Sequence, residues 1–351
     1  MKKMLIIGLI LPLLMLSACC KNKACAKQNG KVNYNYTGSD LKGNYVWGGA
    51  MNMAWNELAE NIVKEPIELA TSDPEALATL AKLNNPVFTN KDMDDASYFI
   101  KSGYGPQTVT AINKECRAKF PKKSIDDLEI ELGPRDIISY AYFLKEITYQ
   151  KVFSQRNIEF DGKVVEGFSV SGDSYANIYI LDYQNEDKFL IGIKLQDDAD
   201  QIFLGKGYPM DKPDEIVKML RAKVQAKDDK GFAFGEPMNS KDVFQAPMLH
   251  LDQFRAYQEM IDKSLKNKMF TEYAISIMQE IIKFDMDEKG ARVENEAIIA
   301  TKTSFNPHGD TYKPKLMKLD KPYWVMMKRF DSNNPYFLLG VNNTSVMKPV
   351  K

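Results

Sequence analysis

The strongest constraint on this chain is a strand-like stretch that runs into a long polar excursion and is followed, near the end, by two apolar runs. Residues 281–303 read IIKFDMDEKGARVENEAIIATKT. Apolar and charged residues alternate through Phe284, Asp285, Met286 and Asp287, the period of a strand leaving a core. Tyr323 to Met327 and Tyr336 to Val341 are apolar runs bounded by Pro322 and by the Asn-rich turn Ser332 to Pro335, which reads as a pair of buried strands. The polar excursion between them is therefore held at both ends by core strands. That makes it the candidate functional element.

One chemistry is imitated there. Asp285, Asp287, Gly290 and Glu296 fall at the first, third, sixth and twelfth positions of a calcium-binding EF-hand loop, and an apolar, helix-like segment, Tyr273 to Ile282, precedes them. Lys289, however, replaces the oxygen ligand of the fifth position and would aim an ammonium at the cation. Arg292 stands at the eighth position, where a paired loop needs an apolar side chain, and no second loop exists. No metal is expected. The chain has two histidines, His250 and His308, with no Cys-x-x-Cys or His-x-x-x-His, so a zinc site lacks ligands. There is no Gly-x-Ser-x-Gly, and Gly205-Lys206-Gly207 lacks the upstream glycine of a phosphate loop. No residue is nominated for catalysis; neither an enzyme nor a cofactor is expected.

The N-terminus bears on location. Lys2 and Lys3 precede an apolar run from Met4 to Leu16 that is interrupted by Pro12. This is an export signal, too short for a comfortable membrane span. Leu16-Ser17-Ala18-Cys19 resembles the lipobox of bacterial lipoproteins, which implies removal of residues 1–18, lipidation of Cys19 and anchoring in the cell envelope. Cys20 follows without an aspartate, which favours the outer over the inner membrane. The remaining Cys20, Cys25 and Cys116 are an odd number and define no disulfide framework. With 47 basic and 47 acidic residues the net charge is +0, and no basic cluster is large enough for a row of phosphates, so nucleic acid is not an expected partner.

Residues 19–44, polar and without apolar period, read as a tether, and 45–351 as one domain. Helical spacing runs through Met51, Trp55, Leu58 and Ile62, with Trp55 inward. Asp73-Pro74 opens a second helix, with Ser72 and Glu75 at capping-box spacing. A third, around Thr108 to Phe120, places Cys116 on its apolar stripe, as a buried residue and not a nucleophile. Asp136 to Leu144 reads as a strand. Asp161-Gly162 joins two more in a hairpin, and Tyr175 to Tyr183 pairs with Lys188 to Leu195 in another. A helix follows at Pro213 to Val224, with loop or short edge strand from Gly231 to Pro247. Helices interspersed with antiparallel hairpins, and no repeated βαβ unit, predict an α+β fold.

In order and spacing these segments resemble the serpins, the serine protease inhibitor family. IIKFDMDEKG is similar to the strand that enters the serpin hinge, NEAIIAT to the small-residue hinge commonly written TEAAAAT, and LDKPYWVMMKR with PYFLLGVNN to the terminal strand pair. IISYAYFLKE, FDGKVVEGF and ILDYQNEDKFLIGIKL resemble strands further upstream, and Ala111-Ile112-Asn113 the helix that lies across the main sheet. The helical N-terminus is shortened. The resemblance implies a metastable fold with an exposed reactive loop: a serine or cysteine protease is acylated on the loop, which then inserts as a central strand and distorts the bound protease. It places hinge and loop at Glu288, Gly290, Ala291, Val293, Asn295, Ala297, Ala300 and Thr301. Two registers stay open. If Gly290 is the hinge glycine, Ala291, Val293, Asn295 and Ala297 face inward; if Asn295 to Thr301 is the hinge, Ala297 and Ile299 do. The scissile bond then moves between Ser304-Phe305 and His308-Gly309. The family's gate residues are replaced: asparagine by Ser139, tryptophan by Ile147 and histidine by Glu280. A non-inhibitory binding lipoprotein is the alternative.

Overall fold

The computed structural model describes residues 37–85, 88–197, 199–208, 213–228, 235–291, 312–332 and 334–350, together with the backbone of 3–8. In chain order, strand β1 (Lys3–Gly8) precedes the short pair β2 (Ser39–Leu41) and β3 (Asn44–Gly48). Strands β2 and β3 pair with each other across residue 44, and β3 pairs onward into a large sheet. Helix α1 (Ala50–Glu57) follows and widens into a π-helical turn over Leu58–Val63, so the helical run read through Ile62 changes its winding halfway. Trp55 is buried and donates its indole N–H to Asn84 Oδ1 at 2.9 Å.

Helix α2 (Pro74–Leu83) starts where Asp73-Pro74 predicts, but the cap is Asp73, whose carboxylate accepts from the amides of Glu75 and Ala76, in place of Ser72. Strand β4 (Tyr98–Tyr104) runs into α3 (Gly105–Lys119). Cys116 lies buried on the apolar face of α3, and desolvation pushes its thiol up to about 11, the behaviour of a packing residue. Strands β5 (Ile137–Phe143), β6 (Ile147–Thr148), β7 (Ser154–Phe160) and β8 (Lys163–Ser169) come next. Asp161 and Gly162 close the β7–β8 hairpin with φ of 48° and 75°, the paired left-handed conformations that an Asp-Gly turn supplies. Strands β9 (Ile178–Asn185), β10 (Lys188–Ile193) and β11 (Asp200–Lys206) lead to α4 (Pro213–Asp228).

The last part is mostly sheet: β12 (Glu236–Pro237), β13 (Val243–Pro247), β14 (Leu249–Ala256), β15 (Tyr273–Met286), β16 (Gly290–Ala291), β17 (Leu316–Lys318), β18 (Tyr323–Arg329) and β19 (Pro335–Val341). An eight-stranded antiparallel sheet has the order β12-β9-β10-β11-β18-β19-β3-β2. A five-stranded sheet has the order β14-β15-β1-β5-β4, and a four-stranded one β17-β13-β8-β7. Alternation along β5 sorts its side chains between two cores. Ile137, Ala141 and Phe143 join the main core, while Ile138, Tyr140 and Tyr142 join a smaller one under α3, with Val109, Ile112 and Cys116. Helix α3 therefore covers one face of the five-stranded sheet, and α1 supports the other, where Ser139 Oγ donates to Ala54 O at 2.6 Å.

Candidate functional site

The five-stranded sheet is incomplete. Strand β1 lies parallel to both neighbours and pairs with only part of each: Leu5 to Ile7 sit against Ile137 to Ser139 of β5, and Lys3 to Gly8 against Tyr273 to Gln279 of β15. Among the described residues, β15 from Glu280 onward pairs on its far side alone, with β14. Across the gap, Tyr142 to Glu146 face Glu280 to Asp285 over a cleft of about 340 Å³. Two parallel strands whose facing backbone groups are unpaired among the described residues form a template for one more strand. The floor is apolar, with Phe284 stacked on Phe337 of β19 at 4.4 Å between centroids. The rim carries Lys145, bound to Asp94 and, at 2.8 Å, to Asp200, and an Asp285 carboxylate 2.7 Å from His250 Nδ1.

Glu280 is the first residue of β15 past the end of β1. It is 3% exposed, on the inward parity shared by Met278, Ile282, Phe284 and Met286. The Tyr257 hydroxyl donates to its Oε2 at 3.0 Å, while Oε1 has no hydrogen-bond partner among the described residues. Loss of solvation pushes this carboxyl up to about 7, against the opposing pull of Arg255, of the Tyr257 hydroxyl and of the Met51 amide.

Where β15 ends, the chain is clamped. Asp287 N–H donates to Gly290 O and Lys289 N–H to Asp287 Oδ1, both at 2.9 Å. Phe153 N–H reaches Glu288 O and Tyr149 N–H reaches Lys289 O, also at 2.9 Å, and Gln155 donates to Glu288 Oε1. Gly290 and Ala291 then pair with Thr148 and Ile147. Gly290 has φ of 153°, and a Cβ there would meet Ile147 O at 2.2 Å, so only glycine fits this approach. The far end of the excursion is tied by Asp242, buried between β12 and β13, whose Oδ1 accepts from the Tyr312 hydroxyl at 2.8 Å and from Lys315 N–H at 2.7 Å. Strand β17 then joins β13 in parallel.

Of the residues expected at hinge and loop, Glu288, Gly290 and Ala291 lie together at the end of the slot. Val293, Asn295, Ala297, Ala300, Thr301, Ser304, Phe305, His308 and Gly309, and also Cys19, lie outside the described residues. The helix-like reading of Tyr273 to Ile282 is corrected: this is strand, so no helix enters an EF-hand loop, and Asp285 pairs with His250. Ile147, expected where the resembling family has tryptophan, is buried and pairs with Ala291. Tyr257, Arg255 and Asp242 were not legible as site residues. Glu280 carried a signal of its own, a carboxylate on the apolar parity of a strand.

No family model and no curated protein matches the sequence. Among solved structures, mouse protein-Z dependent protease inhibitor superposes with a TM-score of 0.50 at 14% identity, covering 88% of this chain and 91% of that one. Human glycosylated kallistatin gives a TM-score of 0.43 at 11% identity, covering 83% and 95%. The chain has a serpin-like α+β fold with a large antiparallel sheet and, among the described residues, four α-helices, fewer than is typical of that fold.

Proposed function

We propose that the chain inhibits serine or cysteine proteases by offering residues 292–311 as bait and, once cut, inserting them into the slot between β5 and β15. The carrying observation is that slot: among the described residues, unpaired strand edges begin at Glu280 and lead directly to Gly290, the hinge glycine in this reading. A loop that fills it exchanges solvated backbone for hydrogen bonds on both sides, and that gain would drive the trap. The loop sequence is compatible with a buried strand. Ala291, Val293, Asn295 and Ala297 share one parity, and Arg292, Glu294 and Glu296 share the other, so the charges can stay in water. The name of the mouse inhibitor is in keeping with this role.

The proposal includes export and envelope anchoring through lipidated Cys19, with outer-membrane placement. Removal of residues 1–18 would take away β1 and lengthen the vacant slot down to Tyr273. A non-inhibitory binding role on the same fold is the second reading. It is favoured by Ser139, Ile147 and Glu280 at the gate, and above all by the buried carboxylate of Glu280.

The test is incubation of the chain with a panel of serine and cysteine proteases, followed by denaturing electrophoresis. Inhibition predicts a denaturant-resistant covalent complex with at least one of them. Cleavage of the loop by every protease, with none retained, would leave the binding role.

A further inference from the structure

Glu280 sits at the edge of the open cleft with an unusual set of neighbours. Its Oε1 is unpartnered among the described residues, and its Oε2 holds the Tyr257 hydroxyl. Arg255, whose charge acts on Glu280, has its hydrogen bonds directed elsewhere: it stacks over the Tyr257 ring at 3.9 Å and donates to Gly38 O and Glu259. From α1 only the backbone N–H of Met51 faces the carboxylate. On β5, Ser139 spends its hydroxyl on Ala54 O. The charges at the rim are paired among themselves: Lys123 with Glu146, Lys145 with Asp94 and Asp200, Lys283 with Asp252, and His250 with Asp285. Arg255, the Tyr257 hydroxyl and the Met51 amide favour the charged form of Glu280, but loss of solvation outweighs them, and among the described residues Oε1 has no hydrogen-bond partner.

Glu280 lines the cleft, so that among the described residues an aqueous volume of about 340 Å³ lies beside its buried carboxylate. A strand laid from β15 to β5 would replace that volume with protein, and a carboxylate set deeper in a low-dielectric surrounding is disfavoured further relative to the neutral acid. A strand that brought a hydroxyl or amide N–H to Oε1 would remove the penalty, because a hydrogen bond to the charged form favours it. We propose that filling the slot beside Glu280 is coupled to uptake of one proton by this carboxylate unless the incoming strand itself donates a hydrogen bond to Oε1. Glu280 is thus both the pH sensor of strand acceptance and a determinant of which strand is accepted. The inference rests on the reading of the slot as a strand acceptor and adds to it a rule of chemistry.

The experiment uses the full chain and end-blocked extended peptides, one with valine at every inward position and a set in which a single threonine replaces each valine in turn. Binding is followed by fluorescence anisotropy from about pH 5.5 to about pH 8.5, the range that brackets the carboxyl's titration. The all-valine peptide should weaken by about tenfold per pH unit above neutrality, the limit for one linked proton. One threonine peptide should bind with a nearly flat profile. Glu280→Gln should flatten the valine profile, and His250→Gln, which removes the imidazole beside Asp285 at the rim, should leave it steep. Calorimetry of the unmutated protein in buffers of different ionisation enthalpy gives an independent count, about one proton taken up above neutrality with the valine peptide and close to none at the acid end. A valine profile equally steep in Glu280→Gln, or no proton uptake, overturns the coupling while the slot still accepts strands. Absence of binding by any peptide at any pH overturns the strand-acceptor reading and the inference with it.

Discussion

Glu280 and Gly290 show how single residues in this fold are set by their surroundings, and both make predictions. The Glu280 carboxyl titrates near 7 in the folded chain, above the ordinary carboxylate range, so the folded state binds its proton more tightly than the unfolded state does. Its contribution is therefore fully favourable below the unfolded value and is lost as pH rises through about 7. Glu280→Gln keeps an oxygen for the Tyr257 hydroxyl and removes the charge. Urea unfolding should show the variant more stable than the parent by on the order of 3 kcal/mol above neutrality, the gap closing toward pH 4.5; equal gaps at both ends would contradict the assignment. Gly290→Ala places a methyl against Ile147 O and should destabilise by on the order of 2 kcal/mol in the same assay. At this scale the sequence was partly transparent. The buried Cys116 could be read directly and Gly290 only as one of two open hinge positions, whereas Tyr257 and Arg255 become neighbours of Glu280 only through the pairing of β14 with β15.

Elements are most legible where one period holds without interruption. The β7–β8 hairpin around Asp161-Gly162, the strand over Ile137–Phe143 and the terminal pair β18–β19 follow their alternation and turn chemistry closely. Strand β15 does not, and the reason is local. Its pairing with β1 shifts register between Ile275 and Ile277, and the buried parity changes there from odd to even residues. That break places Ile277, Met278, Ile281 and Ile282 at spacings that imitate a helix, which is why Tyr273 to Ile282 reads as helical in isolation. The clamp at the other end of the loop was invisible for a different reason. Asp242 is separated from Tyr312 by 70 positions, and its role is a hydrogen-bond convergence that no period encodes. Asp242→Ala should free the chain from Tyr312 to β17. The expected result is a loss of about 2 kcal/mol together with faster limited proteolysis just before Leu316. An unchanged cleavage rate would mean that β17 holds without the clamp.

Across the whole molecule the arrangement is asymmetric. The eight-stranded sheet is continuous and its strands β18 and β19 are buried along nearly their whole length, whereas among the described residues the five-stranded sheet is interrupted beyond Gln279. Stability is consequently concentrated in the first sheet, and the second holds unrealised pairing on the facing edges of β5 and β15. Net stabilisation per added backbone hydrogen bond is about 1 kcal/mol. Filling the open stretch from Glu280 to Met286 on both sides would then add several kcal/mol, which in a domain of this size corresponds to a rise in unfolding midpoint of about ten degrees or more. Limited proteolysis confined to residues 292–311, followed by calorimetry, reads this directly. If the severed segment enters the slot, the midpoint rises sharply and an added strand peptide no longer binds. The proton-linked Glu280 gives the same experiment a second axis: cleavage at acid pH should reach the stabilised form sooner than cleavage above neutrality, and Glu280→Gln should remove the difference. A nicked protein that melts where the intact one does would place the loop outside the sheet and assign the fold to binding without insertion.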